Sequence, residues 1–105
     1  MATLDFIRSV ETDLQTMHGM LFNPVFVLAR DDDEAVDFTD KTIKFEIYRG
    51  GTLILTLSSV TEIAITTDTL TFTKTFTELN VRSYDYRMYN DTDKIGIMHG
   101  QLIVI

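Results

Sequence analysis

The sequence predicts an all-β domain, an antiparallel sandwich or barrel, on three observations. Residues Thr69 to Thr77 read Thr-Leu-Thr-Phe-Thr-Lys-Thr-Phe-Thr. Successive side chains of a strand point to opposite faces, so this period of two describes a ribbon with one threonine face and one mostly apolar face. Threonine is also β-branched and poor in helices, so propensity and pattern agree. Secondly, strand-like segments recur between short polar punctuations along most of the chain. Thirdly, no segment after Gly19 sustains a helical period.

The elements follow in order. Leu4, Ile7, Val10 and Leu14 are three and four residues apart, which allows an amphipathic helix stopped at Gly19, while Leu4 and Phe6 also alternate. A short helix has a costly nucleus, so Met1 to Glu11 reads as an N-terminal arm whose order depends on a partner. Residues 12 to 105 form the domain. The apolar stretch Met20 to Ala29 contains Pro24, which lacks an amide hydrogen and so predicts an edge strand or a bulge. Arg30-Asp31-Asp32-Asp33-Glu34 reads as a solvated hairpin tip, after which Val36 and Phe38 return to the core.

From Lys41 to Tyr48, Ile43, Phe45 and Ile47 point inward and Thr42, Lys44 and Glu46 outward, until Gly50-Gly51 ends the strand. Thr52 to Leu57 places Leu53, Leu55 and Leu57 on one face and Ile54 on the other. Ile63 and Ile65 follow, and Thr67-Asp68 turns into the threonine ribbon. Arg82 to Tyr89 alternates again, with Tyr84, Tyr86 and Met88 on one face. Asn90-Asp91-Thr92-Asp93 is a turn by composition, and Ile95 to Ile105 is the last strand, kinked at Gly100.

Composition excludes several functions. At 105 residues and 12.0 kDa the chain builds one core. It has no cysteine, hence no disulfide, zinc finger or thiol nucleophile. Nine Lys and Arg against sixteen Asp and Glu give a formal charge of −7, which repels phosphate backbones and anionic lipids; neither nucleic acid nor membrane is expected as a partner. No apolar run approaches the roughly 20 residues that span a bilayer, and Asp5 and Arg8 interrupt any signal-peptide core.

Chemistry is sparse. Met-His-Gly occurs twice, at Met17-His18-Gly19 and Met98-His99-Gly100, and adjacent first and last strands would bring His18 and His99 together. Two histidines without a third ligand do not specify a metal site. The acidic run Asp31 to Glu34 lacks the loop and glycine of an EF-hand. No nucleophile elbow is present and no serine lies near a histidine in sequence, so neither a catalytic residue, a metal nor a cofactor is assigned. Assembly is better supported. Leu53, Ile54, Leu55 and Leu57, and again Ile103 and Ile105 beside Leu102 and Val104, leave apolar residues on both faces of a strand. The uncovered face then needs a partner. Tyr48 and Tyr89, outward by alternation, are suitable interface anchors. With Leu4, Phe6, Ile7 and Val10 of the arm, and Ile54, Ile103 and Ile105, they make the expected interface.

Four short motifs carry a family resemblance. They are His18-Gly19 followed by Met20-Leu21-Phe22, then Asp37-Phe38-Thr39, then Tyr84-Asp85-Tyr86, and finally Gly100 opening Gln101 to Val104. In this order the chain resembles the immunoglobulin-like domain at the N-terminus of phage baseplate upper proteins and related phage tail proteins. Asp40 stands where that family usually has glycine. Each motif also has a fold role: Gly19 and Gly100 permit a bend or a change of sheet, Asp37 caps a turn, Phe38 fills the core, and Tyr84 or Tyr86 forms a tyrosine corner.

The resemblance implies an immunoglobulin-like antiparallel β-sandwich and a non-enzymatic structural component of a phage or prophage virion, made in the host bacterial cytoplasm. The chain stops where the closing strand ends, with no stalk or receptor domain. A decoration, auxiliary or adaptor subunit docking on capsid or tail proteins is therefore expected, with the capsid surface favoured and self-association in the particle possible. Two alternatives stand beside it. One is a baseplate or tail-fibre attachment domain; the other is a free-standing module that binds carbohydrate or a host protein, which outward aromatics clustered beside a groove would favour.

Overall fold

The structure is a computed structural model, and it describes residues 10–28 and 37–105, Val10 by its backbone alone. The expected acidic hairpin tip, Val36, and Leu4, Phe6 and Ile7 of the arm lie outside the described residues. Among those described there is no helix. Eleven strands run in chain order: β1 Val10–Glu11, β2 Leu14–Thr16, β3 Leu21–Phe22, β4 Val25–Val27, β5 Ile43–Arg49, β6 Thr52–Ser58, β7 Ile63–Thr66, β8 Thr69–Phe72, β9 Lys74–Thr75, β10 Arg82–Asn90 and β11 Ile95–Val104. A helix over Val10 to Leu14 is thus corrected to two short strands; the larger sheet supplies the hydrogen bonds that an isolated helical turn would lack.

The larger sheet has the order β1, β11, β10, β5, β6, with β2 also paired to β11. Both β1 and β2 run parallel to β11, with Val10 opposite Met98 and Leu14 opposite Leu102. All its other pairings are antiparallel. The last two residues of the expected arm therefore belong to this sheet. The smaller layer is β4, β8, β7, continued by the pair β3 and β9. Its strands are interrupted at Asn23-Pro24 and Thr73. Pro24 has no amide to give, but its carbonyl accepts a hydrogen bond from the amide of Phe72 at 3.0 Å.

The core lies between these layers. Leu70, Phe72 and Phe76 of the threonine ribbon are fully buried, as are Ile43, Phe45 and Ile47 of β5. Phe45 meets Phe72 edge-on at 5.2 Å between centroids, and Phe22 touches Phe45, Phe72 and Phe76. Such edge-to-face pairs add to the apolar area buried. On its other side Phe45 stacks on Tyr86 at 4.8 Å.

Turns explain the special residues. Gly50 and Gly51 both have positive φ, +57° and +81°, which a tight two-residue hairpin between β5 and β6 demands. The chain passes from the larger sheet to the smaller at Gly19, whose φ is +77° and whose amide bonds to the carbonyl of Phe76. Asp40 has φ +65°, a left-handed conformation that aspartate tolerates and glycine adopts freely. The carboxylate of Asp37 accepts a hydrogen bond from the amide of Thr39 at 2.9 Å, while Phe38 is buried. The hydroxyl of Tyr84 both accepts from the amide of Asn80 at 2.9 Å and donates to its carbonyl at 3.2 Å, the geometry of a tyrosine corner.

Gly100 answers to a close approach. The loop joining β1 to β2 crosses it, and a β-carbon there would stand 2.5 Å from the carbonyl oxygen of Thr12. That same carbonyl accepts the hydroxyl of Tyr86 at 2.5 Å, and Asp13 Oδ1 accepts the amide of Gln101 at 3.0 Å.

Candidate functional site

Two surfaces are built differently. On the larger sheet, register places Glu46 of β5, Arg87 of β10, His99 of β11 and Glu11 of β1 in one outward row. Neighbouring rows carry Tyr48 and Tyr89. Glu46 is the hub. It accepts hydrogen bonds from Tyr48 at 2.5 Å, from Tyr89 at 3.0 Å and from Arg87 Nε at 2.8 Å. The Arg87 guanidinium lies 5.6 Å from the Tyr48 ring centroid and 5.2 Å from that of Tyr89. This is cation–π distance on both sides.

Electrostatics follow from these contacts. Burial alone would raise the Glu46 carboxyl, yet the bonds from Tyr48, Arg87 and Tyr89 outweigh it and hold the group below the ordinary glutamate value. Burial, then the bond to Glu46, pushes the Tyr89 phenol up to about 12. The two outward tyrosines are thus brought together, as anchors of one charge-paired platform.

The smaller layer presents a second surface. Its paired positions read Leu21 with Thr75, Val25 with Thr71 and Ala64, and Val27 with Thr69 and Thr66. None of the eight carries a charge, in a chain of formal charge −7. Glu62, at the margin, turns its carboxylate toward the amide of Ser58 at 3.2 Å. Leu21, Val25 and Val27 remain 54%, 57% and 69% exposed, and Met17 and Met20 are exposed nearby. These residues were not read from the sequence as interface. The signal was there: Phe22 and Phe26 turn inward, so Leu21, Val25 and Val27 on the alternate phase had to face out.

The other expected interface residues separate. The pairing between β5 and β6 slips after Ile47, where Tyr48 opposes Leu53, so Ile54 is the extra residue of a bulge. The bulge shifts the phase of the strand. Leu53 therefore shares a face with outward Tyr48, a correction to its grouping with Leu55 and Leu57, and both Leu53 and Ile54 are exposed. Ile103 is half-buried between Ser83 and Gln15. Ile105 exposes its side chain while its backbone bonds Thr16 and His18. Val10 pairs with Met98 through its backbone.

His18 and His99 do not converge. The amide of His18 bonds to the carbonyl of Ile105, six residues along from His99, or roughly 20 Å of extended chain. One ring nitrogen of His18 sits 2.8 Å from the carbonyl of Leu79. Comparison with known proteins adds no relative: no family model, no curated protein and no solved structure matches the chain.

Proposed function

We propose that this protein is a non-enzymatic structural component of a phage or prophage virion, a decoration, auxiliary or adaptor subunit that docks on capsid or tail proteins. The observation that carries the docking is the uncharged outer face of the smaller layer, with Leu21, Val25 and Val27 left in water. Burying the half to two-thirds of these side chains still exposed contributes about 1–2 kcal/mol each, and a face without charge docks with little desolvation cost. Acidic groups elsewhere keep the free protein soluble.

We also read the fold as an immunoglobulin-like sandwich. Its support is the strand order, with β10 and β11 central beside β5 and the first strands running parallel to the last, together with the Tyr84 corner. The phage context rests on the four sequence motifs.

The test is to purify particles from producing cells by density gradient and probe them with antibody against the chain. Virion docking predicts co-sedimentation with the particles. Recovery in the soluble fraction alone would count against it.

A further inference from the structure

The smaller layer ends on an open strand. Among the described residues nothing pairs with the outer side of β4. Its inner side is fixed by register: Leu28 gives its amide to the carbonyl of Asp68 at 2.9 Å, Pro24 accepts the amide of Phe72 at 3.0 Å, and Phe26 stands opposite Leu70 between them. Backbone groups alternate sides along an antiparallel strand, so the amides and carbonyls of Val25 and Val27 point away from β8. Pro24 takes no donor from this edge, because its missing amide belongs to the β8 side.

The other edge strands are guarded. β6 is bulged at Ile54, and the backbone of Ser58 is engaged by Thr61 and Glu62 in the turn that follows. β7 lies between Glu62 and Asp68, and the edge formed by β1 and β2 carries Glu11 and Asp13. Bulges and charges are the usual devices that keep an edge from pairing. β4 has neither, and residues 20–29 hold no charge. Val25 and Val27 are exposed, and Phe26, though turned inward against Phe72, is only half-buried while Leu70 and Phe72 are fully covered.

This edge is its own complement. In an antiparallel pair of two β4 strands about a two-fold axis through Phe26, Val25 of each copy faces Val27 of the other and exchanges amide-to-carbonyl bonds with it. We infer that two copies of this chain pair through β4 in this register, joining their smaller layers into one continuous sheet. Three residues a side bury less than the roughly 1,000 Å² of a stable interface, so the pairing is weak, needs a high local concentration, and leaves dilute protein monomeric. The formal charge of −7 on each copy opposes it, so salt, which screens that repulsion, strengthens it. Docking needs the outer face of this layer covered; pairing needs only its edge, so the two readings stand apart.

The test is sedimentation velocity of the full chain from about 10 µM to about 1 mM, in about 0.05 M and about 0.5 M sodium chloride. The mean mass should rise with concentration from 12.0 kDa toward twice that value, and further at the higher salt. Val27→Pro removes one outward amide and no bond to β8, and should hold the mass at 12.0 kDa. If that variant does not fold, Val25→Cys mixed with Val27→Cys decides the matter: the mixed disulfide should form faster than either homodisulfide. A chain that stays monomeric at about 1 mM would overturn the inference. So would association that Val27→Pro leaves intact, that weakens with salt, or that forms the Val25→Cys homodisulfide most readily. Particle association is read separately by co-sedimentation, and a chain that stays monomeric yet co-sediments leaves the docking reading standing.

Discussion

The two outer faces of this domain treat their side chains in opposite ways. On the larger sheet Glu46, Tyr48, Arg87 and Tyr89 satisfy one another, and Lys41, Lys44 and Lys94 are paired with Asp93 and Asp91. On the smaller layer threonines stand beside a bare row of Leu21, Val25 and Val27. Around Glu46 the larger sheet completes its own interactions and gains little by being covered, with Leu53 left exposed beside Tyr48 at the margin. The bare face gains hydrophobic energy, and it costs the isolated domain nothing in unpaired charge.

The sharpest way to break this contrast is to charge the bare face. Leu21→Lys, Val25→Lys and Val27→Lys together should abolish association with particles in a co-sedimentation assay, because lysines there would be desolvated on docking. Thermal stability should stay within about 1 kcal/mol, since all three side chains are already in water. Association at the wild-type level would remove the smaller layer from the docking account.

Next in size is the seam of the larger sheet. Gly100→Ala should destabilise by about 2–3 kcal/mol in a denaturant melt, because the new β-carbon would meet the Thr12 carbonyl at 2.5 Å. Gly19 also has positive φ, but nothing lies within 4 Å of its missing β-carbon. Gly19→Ala should cost only the left-handed strain of about 1 kcal/mol. Equal costs at the two glycines would show that the Thr12 crossing is not held as described.

The platform should be worth more to stability than the threonine face. Glu46→Ala leaves Tyr48, Tyr89 and Arg87 without their common acceptor, and should cost about 1–3 kcal/mol. Thr71→Ala on the other face should cost less than about 1 kcal/mol. The same platform predicts a response to alkali. Tyr89 titrates near 12 when folded and near 10 when unfolded, so the folded state holds its proton longer. Its contribution is complete below about pH 10 and is lost as pH rises through about 12. Phenolate absorbance should show two late-titrating tyrosines, Tyr86 and Tyr89, both pushed up to about 12, and Glu46→Gln should bring down the titration of Tyr89 but not that of Tyr86. The smallest expected effect is at Asp40, where glycine should match or exceed the wild-type stability by up to about 1 kcal/mol, since it relieves a φ of +65°.

Much of this architecture is legible in the amino-acid pattern. Ile43, Phe45 and Ile47 alternate with polar residues, and the threonine ribbon sorts its faces as its period of two dictates. The break at Thr73 was not legible, because it answers to Pro24 on a neighbouring strand. Neither was the bulge at Ile54, whose position depends on register with β5 and which moves Leu53 to the opposite face. Tyr48 and Tyr89 were readable as outward, but their joining through Glu46 and Arg87 requires pairing residues some forty apart in sequence. The bare row was visible in principle. Pro24 marks an edge, as β4 ends its sheet, and the apolar residues flanking it on the outward phase carry the surface.

The absence of cysteine from the chain makes one measurement direct. A single thiol introduced as Val25→Cys reports the smaller layer, and one introduced as Asp85→Cys reports the outward face of β10. Maleimide labelling of each would be timed in the free protein and in purified particles. Docking through the bare face predicts that Val25→Cys labels readily when free and is protected in the particle, while Asp85→Cys labels at similar rates in both. Equal labelling of Val25→Cys in the two states, or protection confined to Asp85→Cys, would contradict it.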